Sequence, residues 1–293
     1  MHPIAQPGGF FLHIQGMVQF FLNQAPQPLR SCYETKLFQC ARQASILWSI
    51  ARGQRTPFDT EEWILLSKSA PLVTSETRLL DIGVKIPNLL AADHDGDMGD
   101  SLRLSRLSEA VRSLSLWIEA YSNEKGVILL QTFDPVQFPD FARLVTHDFP
   151  GCQVLFCASF SDAFYLSLAW TLLFIVQLAR FHIVVNSFEA PATACKQLNR
   201  SLRLIASALC STIPQFFDSD WGFVARHSIN LFLQLLIRYY ESIGRDGMVE
   251  FLLDVKRALV RPELGHTIVT EPELAVERYF PSLNIIEIDI DAS

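Results

Sequence analysis

The sequence predicts an all-α protein, an irregular multi-helix bundle around a hydrophobic central helix, with little or no β structure. Three observations predict it. Apolar residues recur at three- and four-residue steps through most of the 293-residue chain, the period of a helix with one buried stripe. Ala163 to Ala179 run without a single charge, as a helix covered on every side does. Cap residues, Pro and Gly fall between these segments and seldom inside them.

In chain order, the apolar Phe10-Phe11-Leu12 and Phe20-Phe21-Leu22 mark a first helical segment, interior in character. From Tyr33 to Arg52, the residues Leu37, Cys40, Ala41, Ala44, Leu47, Trp48 and Ala51 keep helical spacing. Asp59-Thr60-Glu61-Glu62 has capping-box spacing and opens a short helix with Trp63, Leu65 and Leu66. Ser75 can cap a helix carrying Leu79, Leu80, Ile82 and Val84, which Pro87 bends or ends. Asp93 to Asp100 reads as an acidic loop. An amphipathic helix follows, with Leu104, Leu107, Val111, Leu114 and Ile118 on one stripe and Trp117 beside it.

Val127–Leu130 is a short apolar run that fits strand or helix. Phe133-Asp134-Pro135 and Phe138-Pro139-Asp140 predict an extended connection, and Pro150-Gly151 a break before the central helix. Pro191 is placed to start a helix running to about Phe217, with Leu198, Leu202, Ile205 and Leu209 inward. Residues Trp221–Ile243 and Gly247–Val260 predict two more helices, with Gly244 as a stop between them. Ile285 to Ile290 alternates like a strand but has no evident partner.

Composition narrows the function classes. At 49% hydrophobic and 19% charged, the chain has the apolar surface to fold as one large helical domain or two smaller ones. A net charge of -7, with basic residues scattered singly and Lys256-Arg257 the longest run, argues against duplex DNA as a direct ligand, because phosphate binding needs clustered cations. The six Cys, at 32, 40, 152, 157, 195 and 210, contain no pair separated by only two residues and read as reduced thiols, mostly small core residues. The first 22 residues lack a basic leading region, so no secretory signal is expected. Asp162 and Arg180 bracket the uncharged segment, whose length sits at the lower edge for a bilayer; a buried helix of a bundle is the expected reading.

Catalytic constellations are expected to be absent. Asp93, Asp95 and Asp97 alternate like the opening of a calcium loop, yet the required Gly and Glu positions hold Met98 and Leu104. Asp93 and Asp97 on one helix face could instead chelate magnesium, but no second acidic set stands on a later helix; a solvated loop beside a helix N-terminus is expected. Neither His147-Asp148 nor Arg226-His227 belongs to a zinc or nucleophile motif. The aromatics Phe156, Phe160, Phe164, Tyr165, Trp170 and Phe174 are expected in the core, with an apolar small-molecule pocket as the alternative.

Four stretches carry a resemblance. They are Leu37-Phe38 through Arg52 with Pro57-Phe58-Asp59-Thr60-Glu61-Glu62-Trp63; Leu79-Leu80-Asp81-Ile82 with Ile86-Pro87-Asn88-Leu89-Leu90 and Asp93; Ala163-Phe164-Tyr165 to Leu173; and Ala208 to Phe217 followed by Asp220-Trp221-Gly222. In this order, over roughly residues 30 to 262, they resemble the C-terminal helical regulatory region of fungal zinc binuclear-cluster transcription factors. The resemblance implies a nuclear, non-enzymatic regulator that works through protein partners, a homodimer or a small-molecule effector, with no catalytic, cofactor-binding or metal-binding residues. That family contacts DNA through an N-terminal six-cysteine zinc cluster; the six Cys here are distributed differently, so direct nucleic-acid contact is not expected, and the buried reading of residues 163–179 leaves membrane association unexpected. The expected organisation is a partial helical segment at 1–30, a regulatory domain at 31–265 and a tail at 266–293. A truncated factor and a stand-alone relative both fit, as does a helical enzyme or small-molecule binder using the acidic loop or the aromatic helix.

Overall fold

A computed structural model of the chain describes residues 9–24, 26–71, 73–95, 99–130, 133–145, 153–187, 191–217 and 229–259. These residues are all-α apart from two three-residue strands. They fall into two compact units, one of residues 9–121 and 168–202, the other of residues 122–167 and 203–259.

In the first unit, α1 (Gly9–Gln24) packs on α2 (Cys32–Arg52). Helix α2 starts where the Ser31 hydroxyl accepts the Glu34 N–H at 3.1 Å, and it stops at Gly53, whose φ of 63° lets the chain turn left-handed. Its inner face carries Phe38, Ala41, Arg42, Ile46 and Ile50, all nearly inaccessible. That face lies on α4 (Ser75–Gly83) and α5 (Lys85–Asp95), while α3 (Glu61–Lys68) packs on α4. Phe38 stacks on Trp63 at 5.7 Å, and Phe58 sits edge-on to both rings. Such pairs add to the area burial of the rings.

Thr74 caps α4 reciprocally with Thr77, a capping box built one residue earlier than Ser75. Helix α4 ends at Gly83, four residues before Pro87, whose missing N–H leaves the Gly83 carbonyl without a helical partner; Pro87 itself lies in the first turn of α5. The acidic loop also begins later than expected, because α5 continues through Asp95. Helix α6 (Asp100–Lys125) docks through Trp117, whose indole N–H donates to the Ser75 carbonyl at 2.7 Å, and Tyr121, whose hydroxyl donates to Glu76 at 3.2 Å.

Helix α8 (Phe160–Asn186) enters this unit from Leu168 onward. Thr171 to Leu178 are eight consecutive buried residues, more than two full turns with no wet face. Only α8, among the described residues, is long and apolar enough to cross a membrane, and 67% of its most apolar 18 residues are buried within the protein. The Gln177 amide donates to Ser201 on α9 (Ala192–Thr212) at 3.1 Å.

In the second unit, β1 (Ile128–Leu130) pairs antiparallel with β2 (Val154–Phe156), Leu129 opposite Leu155. The connection expected to be extended contains α7 (Pro139–Leu144), with Pro139 as a first-turn proline. The end of α9 tightens into a 3-10 turn, Ile213–Phe217, against which α7 and β2 pack. Helices α10 (Asn230–Ser242) and α11 (Asp246–Leu259) form an antiparallel pair joined at Gly244, φ 63°. Phe141, Phe216, Phe217, Phe232 and Phe251 fill the core. The alternating segment at 285–290 and the Trp221 end of the predicted helix lie outside the described residues.

Candidate functional site

A cleft of about 510 Å³ belongs to the first unit and is walled by three segments of the chain. That volume lies in the range of small-molecule sites. The first wall is the loop after α2, contributing Arg55 and Asp59. Gly53 turns the chain out of α2, and Phe58 anchors the loop by plugging the aromatic cluster beside Phe38 and Trp63. The Ser45 and Thr56 hydroxyls meet at 2.8 Å beneath it.

The second wall is α5. Lys85, Asn88 and Leu89 share one face at steps of three and four, next to Ile82 of α4. Asn88 ties this wall to the loop. Its carbonyl oxygen accepts the Thr56 N–H at 2.8 Å, and its amide donates to the Asp59 carboxylate at 2.9 Å. Burial raises the Asp59 pKa above the ordinary carboxylate value, opposed by the charge of Lys85 and by the Asn88 hydrogen bond.

The third wall is α6, whose Arg106, Glu109, Ala110 and Ser113 recur at helical spacing on one face. The cleft therefore presents three cations, two carboxylates, an amide and a hydroxyl around Ile82, Leu89 and Ala110. It is locally cationic in a chain of net charge -7.

A second cleft, about 250 Å³, lies in the other unit between α7, β2 and the 3-10 turn. Its lining mixes Phe138, Phe141, Phe156 and Phe217 with Gln137, Asp140, Gln215 and Cys157. The Cys157 N–H donates to the Gln215 side-chain oxygen at 3.1 Å. Burial, then Asp162, push the Cys157 thiol up to about 12, and burial does the same to Cys210. Both thiols are protonated at neutral pH, the unreactive form for nucleophilic attack.

The residues weighed from sequence do not assemble into these clefts, Phe156 and Cys157 excepted. Asp93 and Asp95 fall in the last turn of α5, where only the backbone is described, and Asp97 lies outside the described residues. His147, Asp148, Arg226 and His227 also lie outside them. Among the described residues no three His, Cys, Asp or Glu side chains group as a metal site. Of the aromatics, Phe174 is fully buried, Phe160 meets Phe216 at 6.1 Å, and Phe156 is 41% exposed on β2. Sequence reasoning missed the larger cleft, although the polar steps Lys85-Asn88-Leu89 and Arg106-Glu109-Ala110-Ser113 were its signal. No protein-family model, curated protein or solved structure matches the chain.

Proposed function

We propose that this chain is a non-enzymatic, transcription-regulatory helical module of the nucleus that acts by binding a small effector and protein partners. The observation that carries the reading is the mixed-charge cleft of the first unit, braced by Asn88 and sized for a metabolite. The four stretches that resemble, in order, the regulatory region of zinc-cluster factors support the transcriptional part. The net charge of -7 supports regulation through partners over direct contact with DNA.

The test is a reporter experiment. The chain is fused to an unrelated DNA-binding domain and its output compared with that domain alone. A several-fold change in transcription, with the fusion in the nucleus, is the expected result; an unchanged reporter with the fusion well expressed overturns the reading. The same cleft favours a second reading, a helical small-molecule-binding protein with no transcriptional role, and the silent reporter is its signature.

A further inference from the structure

We infer that the cleft of the first unit binds a small zwitterion, a free amino acid or a dipeptide, holding its carboxylate among Arg55, Lys85 and Arg106 and its ammonium group at Asp59 and Glu109. This rests on the cleft being an effector site and adds the chemical class of the ligand. The argument is one of sign. A dianion entering the cleft meets two carboxylates, and a dication meets three cations. A molecule bearing both charges on one short frame leaves neither set opposed. Ile82, Leu89 and Ala110 give an apolar surface for the ligand's carbon skeleton.

Both charge signs stand on two of the three walls, and the α5 wall adds Lys85 alone. Arg55 and Asp59 share the loop, and Arg106 and Glu109 share a face of α6. Asp59 is half-buried, and Asn88 fixes the direction of its carboxylate. Burial disfavours the charged form of Asp59, so an ammonium donor beside it gains more than it would at an open surface.

Calorimetric titration of the full chain at physiological salt tests this, with L-leucine, L-glutamate, L-arginine and glycylglycine as zwitterions. Succinate and putrescine are the single-sign controls. At least one zwitterion is expected to bind ten-fold or more tightly than either control. Arg106→Gln and Glu109→Gln should each weaken it at least ten-fold, while Arg112→Gln, on α6 but off the cleft, should not. Arg106 and Glu109 are exposed, and Lys85→Gln on α5 serves as a second, independent variant. The assignment is overturned if no zwitterion binds, if succinate or putrescine binds as tightly, or if the folded variants keep full affinity. Zwitterion binding with a silent reporter leaves the ligand class standing and removes only the transcriptional reading.

Discussion

Arg42 of α2 reaches Asp81 of α4 at 2.6 Å with its guanidinium wholly removed from solvent, and its other terminal nitrogen donates to Ser67 of α3 at 2.6 Å. One side chain thereby joins three helices, lying 5.5 Å from the centre of the Phe38 ring. Burial lowers the Arg42 pKa, and the charge and hydrogen bond of Asp81 oppose this. Asp81→Asn leaves a buried cation without its counter-charge and should destabilise by about 3 kcal/mol. Arg42→Met removes the cation and keeps the packing, so it should cost less. Urea unfolding of the two variants checks the order; an Asp81→Asn loss below about 1 kcal/mol contradicts it.

Helix α8 gives the second prediction. Phe174 is fully buried in a stretch with no wet face. Phe174→Ala should cost about 3–5 kcal/mol through lost transfer energy and the cavity left behind. Detergent should not restore the variant's stability, because the covering material is protein. Recovery in micelles would point to lipid as the native surroundings.

Gly83 closes α4 at a tight approach. A methyl group there would stand 3.0 Å from Ile46 Cδ1 and 3.2 Å from Leu172 Cδ1, and both neighbours are fully buried. Both side-chain ends must give by a few tenths of an ångström inside the core, so Gly83→Ala should lose stability by about 1 kcal/mol, despite alanine's better helix propensity. Thermal melting decides the sign, and a stabilised variant would mean that Ile46 repacks.

The buried thiols make a pH prediction. Cys157 and Cys210 are pushed up to about 12, above the unfolded thiol value near 8.5. Between those values the unfolded chain has released the proton and the folded chain keeps it, so stability falls as pH rises. The contribution is complete below the unfolded value and is lost at up to about 1.4 kcal/mol per thiol per pH unit above it. Replacing both by Ala should flatten the alkaline slope of the unfolding curve. In the folded chain at pH 8, iodoacetamide should label Cys32 and Cys40, which are exposed, and spare Cys157 and Cys210. Peptide mapping reads the result.

Helix α8 was legible because an uncharged stretch of that length has few ways to exist in a folded chain. Helix ends were less so. Ser31 and Thr74 cap through hydroxyls that the apolar period does not register, and Asp59, expected in a capping box, accepts from Asn88 instead. Pro139 reads from sequence as part of an extended connection, yet it sits in a first turn, where proline is tolerated, and Pro87 both follows the end of α4 and stands in the first turn of α5. The identity of Ile128–Leu130 depended on a strand 26 residues later, information no local window holds. The cleft was hidden for the same reason. Its residues come from three segments, and each polar face read alone is indistinguishable from one facing water.

Asn88 satisfies both its polar ends within the protein, one on the Thr56 backbone and one on Asp59, so two walls are set when the chain folds. A molecule arriving there would find preorganised surroundings and would not spend its interaction energy immobilising a loop. Asn88→Ala should leave the charges of the cleft in place while slackening the frame that holds them, and affinity would then fall through entropy with no charged contact removed.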